Sequence, residues 1–416
     1  MRFTVKDVLQ FVEENDIKFV RLVFFDIFGI KKNISVMSQE LETVFEYGAS
    51  IVPSHIGGFE GVTTELLLFP DPSTLKILPW RPQHGRVARL LCDIKNPDGT
   101  DFESDVRGIL KKAVEQSEQT GFVSKVGVEC EFYLLKLDEN GEPTRIPHDN
   151  AGYLDVAPLD KGENVRRQIC LTLEQMEIDP LSSHHENGPG QNEIDFKHSE
   201  PLNEADDFET FKDTVKASAA SNGLFASFMP KPLADQSGSG MYINLMLRKY
   251  GFSIFKDSGE GLSETAKNFI AGLQTHLHEI ALFLNPLPNS YERIRSCKML
   301  DVSNSSYTDS TSLIRLSDTL TNHAKLQLRL PDPSCNPYLA FALIIYAGLD
   351  GIENHMEFDG VPKVPLSFDE AVACAENSAF LKKCLPAAVY DAFISEKKKM
   401  ADCQEELMEK RYFEII

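Results

Sequence analysis

Basic residues are in short supply: 42 Lys and Arg stand against 63 Asp and Glu, a net charge of −21 over 416 residues. A surface that acidic repels phosphate backbones and anionic lipid, which argues against nucleic acid or a membrane surface as a main partner. No apolar run reaches the ~18 residues of a membrane-spanning helix, and the polar start MRFTVKDVLQ lacks a signal-peptide core. The eight cysteines are scattered, with no CxxC pair and no short-spaced framework, so no disulfide scaffold is expected. A phosphate-cradling loop is missing too: no GxxxxGK[ST] occurs, and SGSGM (237–241) is too short for one. A reduced, cytoplasmic protein is the expectation. What is present is ordinary in bulk, with 42% hydrophobic and 25% charged residues, enough for sizeable cores. At ~150 residues per domain, the length suggests two or three domains.

Residues 1–95 read as a small α/β unit. A helix over about 5–15 puts Val8, Leu9 and Val12 on one face. Strand-like runs VRLVFFDI (20–27) and KNISV (32–36) flank the turn residue Gly29. PDPSTLKILPW (70–80) reads as a loop running into a strand, and RVARLLCDI (86–94) as another strand. NPDGT (96–100) carries strong turn chemistry and marks the expected domain boundary. Beyond it, a polar, turn-rich stretch over about 140–165 reads as a surface excursion. Amphipathic stretches near 104–120, 206–221, 263–284 and 336–349 read as helices, the last opened by Asn336 and Pro337. The last fifty residues look helical, with Lys397 to Lys399 on a solvated face. His276 and His278 are two apart on a helix and do not share a face for metal binding, so surface positions are expected for them.

Three segments place polar groups on one face of an otherwise apolar strand. VSKVGVECEFYLL (123–135) alternates, so Val126, Val128, Cys130, Phe132 and Leu134 face one way while Glu129, Glu131 and Tyr133 face the other. HHENGPGQNEIDF (184–196) holds Glu186 in a glycine-rich turn and Glu193 in the strand after it. In KLQLRLPDP (325–333), Gln327 and Arg329 oppose Leu326, Leu328 and Leu330. A carboxylate on an inward strand face is unfavourable unless something positive neutralises it. Four of them around turns suggest a hard divalent cation held by oxygen ligands; the same pattern also fits solvated strand faces. Cys130, on the apolar face, reads as a small hydrophobe.

These segments resemble the signature blocks of the glutamine synthetase family, class I. GVECEFYLL and HHENGPGQNEIDF are similar to its metal-ligand strands, and SFMPKPLADQSGSGM (227–241), NSYERI (289–294) and LRLPDPSCNPYLAFALIIYAGLDGI (328–352) to the blocks that follow, in family order. PDPSTLKILPW is similar to its N-terminal domain. The resemblance implies an α+β protein, with a β-grasp domain over 1–100 and a catalytic domain over 101–416 built on a curved antiparallel sheet with flanking helices. It implies ATP as co-substrate, Mg²⁺ or Mn²⁺, and formation of a γ-glutamyl phosphate from glutamate or a similar amino acid, which an amine then attacks. Two stacked hexameric rings, with sites shared between neighbouring subunits, are implied as well. One metal position is intact in Glu131, Glu186 and Glu193. Glu131, Gly238, Arg293 and Arg329 match substrate contacts, although Ser237 replaces an asparagine beside Gly238. Arg329 lies near the reacting carboxyl, and Arg315 faces the nucleotide phosphates; these two are the implied catalytic residues. His184 and His185 match family histidines, with a structural role in the turn and direct catalysis both open.

The departures cluster. At the second metal position Glu129 remains, but Tyr242 stands in place of a histidine and Gln327 in place of a glutamate, and these neutral oxygens hold Mg²⁺ or Mn²⁺ less well. Asn244, at the nucleotide, replaces a further histidine. The loop over 295–313 lacks the family's Gly-x-Glu-Ala-Pro flap, and Ser310 falls where an arginine usually lies. Val52, in IVPSHIGGF (51–59), replaces the aspartate that binds ammonium. The expected function is therefore an ATP-dependent carboxylate–amine ligase using an amine other than ammonia. The alternative is a catalytically degenerate homologue with a structural or ligand-sensing role.

Overall fold

Thr4 starts the first helix, α1 (Val5–Glu14), through a capping box: its side chain accepts from the Asp7 backbone while the Asp7 carboxylate accepts from the Thr4 backbone. Val8 and Val12 form the buried face, with Leu9 packed at its margin. The structure is a computed structural model that describes residues 3–81, 83–257, 259, 261–297, 307–309, 311–358, 360–401 and 413. After α1 comes a six-stranded sheet of β1 (Ile17–Phe25), β2 (Lys31–Met37), β3 (Ala49–Ile51), β4 (Leu66–Pro70), β5 (Lys76–Ile77) and β6 (Arg86–Lys95). The strand order is β2–β1–β6–β4–β3, with β5 against β6 and helix α2 (Leu41–Tyr47) before β3. Only β1 and β6 pair in parallel. Leu22 to Phe25 are buried in succession, as a central strand covered on both faces requires.

Helix α3 (Val106–Gln119), capped by Asp105, leads to a nine-stranded sheet. Its strands are β7 (Val123–Leu137), β8 (Pro143–Pro147), β9 (Pro180–His185), β10 (Gln191–Phe196), β11 (Leu224–Ser227), β12 (Met241–Lys249), β13 (Phe252–Ser253), β14 (Ile314–Ser317) and β15 (Lys325–Leu328). The main path is β14–β15–β12–β7–β10–β9, and every pairing is antiparallel. Flanking it are α4 (Glu163–Gln175), α5 (Pro201–Ser221), α6 (Glu264–Leu284), α7 (Pro288–Ser296), α8 (Pro337–Glu353), α9 (Phe368–Glu376), α10 (Ala379–Cys384) and α11 (Ala387–Ala401). The fold is thus α+β, a β-grasp unit joined to a curved antiparallel sheet with helices around it. Helix α5 covers the apolar face of β7: Phe132 meets Phe211 edge-on at 6.0 Å, and buried Glu204 accepts from the Val128 amide at 3.0 Å.

The two sheets are locked by Arg107, whose side chain is 1% exposed. It donates to Asp206 on α5 at 3.0 and 2.7 Å, to Asp93 on β6 at 2.6 Å, and to Asp71 at 3.2 Å. Helix α8, capped by Asn336, is buried nearly all round and crosses α6 at backbone contact. A Cβ on Gly351 would lie 2.1 Å from the Asn268 carbonyl oxygen, and one on Gly272 would lie 2.3 Å from that of Ala347.

Three sequence expectations are corrected. Helix α4 begins inside the stretch read as a polar excursion; its buried residues Val165, Ile169 and Leu173 form a narrow i, i+4 stripe among charged neighbours. Lys397 does not share the solvated face of Lys398 and Lys399 but is buried. His276 is buried rather than on the surface. Its ring stacks on Phe380 at 3.8 Å and bridges Glu279 at 2.6 Å and Asp350 at 2.9 Å.

Burial alone would push the His276 imidazole down, but the carboxylates of Glu279 and Asp350 outweigh it and hold the group above its ordinary value. Stabilisation by the charged ring is therefore full below the unfolded value of about 6.5 and is lost as pH rises through the raised folded value. We expect the melting-temperature gap between the wild type and His276→Gln to be widest near pH 6 and to narrow steadily toward about pH 9. Thermal unfolding across that range checks this, and a gap that stays constant would contradict it.

Candidate active site

Strand register assembles the site in three rows across one sheet face. β12, β15 and β14 bring Asn244 opposite Gln327 and Gln327 opposite Arg315. One step along, Tyr242 on β12 faces Glu129 on β7, which faces Asp195 on β10. In the third row Glu131 faces Glu193, which faces His184 on β9. Because each strand alternates, all these side chains share the face opposite the core. Of the residues singled out in sequence, Glu129, Glu131, Glu186, Glu193, Asn244, Arg293, Arg315 and Arg329, with Gly238, fall on these rows or on the segments bordering them.

The carboxylates are crowded and short of cations. Glu186, Glu193 and His184 present ligand atoms within 4.8 Å of one another, as do Glu129, Glu193 and Asp195. Burial first, and then their neighbours' negative charge, pushes the carboxyls of Glu131 and Glu193 well above the usual range. Oε2 of Glu131 accepts from Gln191 at 3.0 Å and from the Gly240 amide at 2.8 Å. Glu186 accepts from Asn187 and lies 3.0 Å from His184 Nε2. An all-oxygen set with an imidazole beside it, buried and under-neutralised, suits a divalent cation. Glu186 and Glu193, joined by His184, thus converge at the first metal position, while Glu131 faces Glu193 across the strand pair but belongs to no converging group among the described residues. His185 is buried and lies 3.0 Å from Asp149 and 2.7 Å from the Glu186 carbonyl oxygen.

The second position is altered: Glu129 still converges with Glu193 and Asp195 there, but its other neighbours are neutral. Gln327 Nε2 donates to both oxygens of Glu129 at 3.0 Å, and Asn244 Nδ2 donates to one of them at 2.9 Å. Two neutral amides thus take up Glu129 where the resemblance implies charged or imidazole ligands. Tyr242 is turned away from Glu129, its hydroxyl accepting from Arg329 at 3.1 Å and its ring 4.7 Å from that guanidinium. Asp195, which faces Glu129, was passed over in sequence although it lies two residues beyond Glu193 on the same strand face. Its Oδ1 is buried without a hydrogen-bond partner among the described residues.

Arg293 and Arg329 are 3% and 6% exposed and border Glu131. Arg293 comes from α7 and is fixed by Asn285 at 3.2 Å and by the carbonyl oxygens of Leu330 and Pro331. Gly238 is required there, since a Cβ would lie 2.5 Å from the Pro230 carbonyl oxygen and 2.6 Å from Arg293 Cγ. The Nε atoms of Arg293 and Arg315 are buried without a hydrogen-bond partner among the described residues, leaving them donors to offer. Val52, 54% exposed, lies at the end of β3 on the other sheet. Ser310 and residues 298–306 of the expected flap region lie outside the described residues.

Residues 16–97 match the glutamine synthetase β-grasp domain and residues 103–414 the glutamine synthetase catalytic domain. The glutamine synthetase of Methanosarcina mazei is 42% identical over 417 residues, spanning 95% of this chain and 93% of its own. That of Clostridium saccharobutylicum is 41% identical over 428 residues, spanning 95% and 94%. Among solved structures, the ADP complex of GmaS is 29% identical with a TM-score of 0.84, covering 95% of this chain and 96% of that one. Plasmodium falciparum glutamine synthetase, 22% identical at a TM-score of 0.86 over 97% and 96% of the two chains, shares the fold. No helix among the described residues is long and apolar enough to cross a membrane. With both domains matched over nearly the whole chain, the protein belongs to the glutamine synthetase family, class I, a family of ATP-dependent ligases.

Proposed function

We propose that this protein joins the side-chain carboxylate of glutamate, or of a similar amino acid, to an amine other than ammonia at the expense of ATP. The γ-phosphoryl group of ATP passes to the carboxylate, giving ADP and an acyl phosphate; the amine attacks the acyl carbon and phosphate leaves. Arg293 binds the α-carboxylate, Arg329 polarises the reacting carboxyl, and Arg315 with Asn244 contacts the nucleotide phosphates. The ADP held by GmaS supports the nucleotide assignment. Glu131, Glu186 and Glu193 would hold Mg²⁺ or Mn²⁺, which when bound offsets the charge of phosphates and carboxylate.

The observation that carries the reading is selective change: the buried arginines and the first carboxylate cluster are intact, while Val52 offers a cationic nucleophile no carboxylate. Drift without function would not spare one half of a site. A degenerate, ligand-sensing homologue is the second reading, and the capping of Glu129 by the Gln327 and Asn244 amides favours it. The proposal includes cytoplasmic location, two domains meeting near residue 100, and a dodecamer in which the Val52 loop completes a neighbour's site. Mass photometry should then find a species near twelve times the 46.6 kDa chain mass, whereas monomer or dimer alone would remove the shared site.

Calorimetry with Mn²⁺ and no nucleotide should find one tight ion per chain, abolished by Glu193→Ala; two ions of similar affinity would contradict the reading of Gln327 and Tyr242. The decisive assay is ADP release with glutamate and a panel of amines, beside ammonium. Charge-assisted contacts are worth roughly 1.5–3 kcal/mol, so Arg293→Ala or Arg329→Ala should lower glutamate-dependent turnover by about ten- to a hundred-fold. Vigorous glutamine synthesis from ammonium would overturn the altered specificity, and absence of ADP release with every amine, with nucleotide still bound, would favour the sensing role.

A further inference from the structure

Away from the site just described, a cavity of about 520 Å³ lies where the two sheets' domains meet, within the ~300–1,000 Å³ range of small-molecule pockets. The β1–β2 turn forms one wall, α5 a second, and the loop after Arg329 (333–335) a third. Helix α11 closes the remaining side with Glu396 and Lys397. The helix is seated there by Phe393, whose ring stacks on Phe283 at 4.0 Å and Phe28 at 6.0 Å.

Five lysines and five carboxylates line the cavity, but their pairing is uneven. Asp213 and Glu209 are taken up by Lys31, at 2.7 and 3.8 Å, and Glu209 also by Lys212, at 2.6 Å. Asp26 accepts from the amides of Phe28 and Ile30 at 3.0 and 2.9 Å. Glu396 pairs outward with Lys399 at 3.6 Å, and Glu60 is exposed at the rim. That leaves Lys397. The residue is 4% exposed, yet its ammonium makes no hydrogen bond or ion pair among the described residues; its neighbour is the Phe393 ring, 5.1 Å away. The carboxylates of Glu396, Asp332 and Asp26 act on it only from beyond ion-pair distance, and a buried ammonium with no counter-ion in direct contact is unfavourable unless something anionic meets it. Consistent with that, burial pushes Lys397 down to about 8.

We propose that this interdomain cavity is a binding site for a small carboxylate- or phosphate-bearing anion, held by Lys397 of the C-terminal helix. A ligand there would tie α11 to the β1–β2 turn and rest against the loop that follows Arg329, joining three parts of the chain through one charge.

The test titrates the full-length protein with inorganic phosphate and, separately, with succinate, following thermal unfolding, for the wild type, Lys397→Met and Arg329→Ala. A saturable rise in melting temperature with either anion is expected, weakened at least ten-fold in Lys397→Met and retained in Arg329→Ala, which separates this cavity from the active site. Which anion acts identifies the source chemistry. In anion-free buffer Lys397→Met should melt no lower than the wild type, because it removes an unpaired buried charge. Should that variant fold poorly, acetylation of the wild type by limiting acetic anhydride, read by mass spectrometry, replaces it: modification of Lys397 should be suppressed by the active anion. Equal responses of wild type and Lys397→Met, no response to either anion, or unchanged Lys397 acetylation would overturn the site.

Discussion

Four carboxylates share one sheet face because the opposite face of the same strands is committed to the core. Val128, Cys130 and Phe132 are fully buried under α5, and with a period of two this leaves Glu129 and Glu131 nowhere else to point. Slipping β7 by one residue would bury both glutamates against phenylalanines. The apolar pattern therefore sets the position of the acidic groups, and the antiparallel register of β10 and β12 then decides which groups face them. Site geometry here follows from packing rather than from attraction among the acids, whose mutual repulsion opposes it.

The same face explains why the two cation positions diverge. At the first, unneutralised carboxylates and an imidazole converge, and only a positive charge relieves them. At the second, two amide groups and a phenol have converted a charged pocket into a hydrogen-bonded one, with Glu129 satisfied by Gln327 and Asn244. A carboxylate so satisfied gains less from a cation, since the ion must displace two donors first. Tyr242 adds a second effect by occupying one face of the Arg329 guanidinium.

Much of this was legible in the sequence. Strict alternation in β7 identified Glu129 and Glu131, a cap and proline marked the start of α8, and the family blocks located Arg293 and Arg329. What escaped has physical reasons. Helix α4 buries only a narrow stripe, too thin to stand out among charged neighbours. Lys397 sits in a run of three lysines that composition reads as solvent-facing, and only the seating of α11 on Phe28 and Phe283 turns it inward. His276 required knowledge that Asp350, far along the chain, lies across from it. Asp195 needed only the alternation already applied to Glu193. Tertiary neighbours decide Lys397 and His276, a weak local stripe hides α4, and periodicity alone finds Asp195.

The contact between α6 and α8 has its own consequence for how this sequence can change. Gly272 and Gly351 face each other across a helix crossing with no side chain between, so a methyl group on either one meets backbone rather than a rotatable neighbour. Replacing one glycine opens no space at the other, and no compensating small residue is available because none is smaller. The crossing is thus a fixed point in sequence space: substitutions can accumulate around it on both helices, but no single step leads away from it without prising the two helices apart.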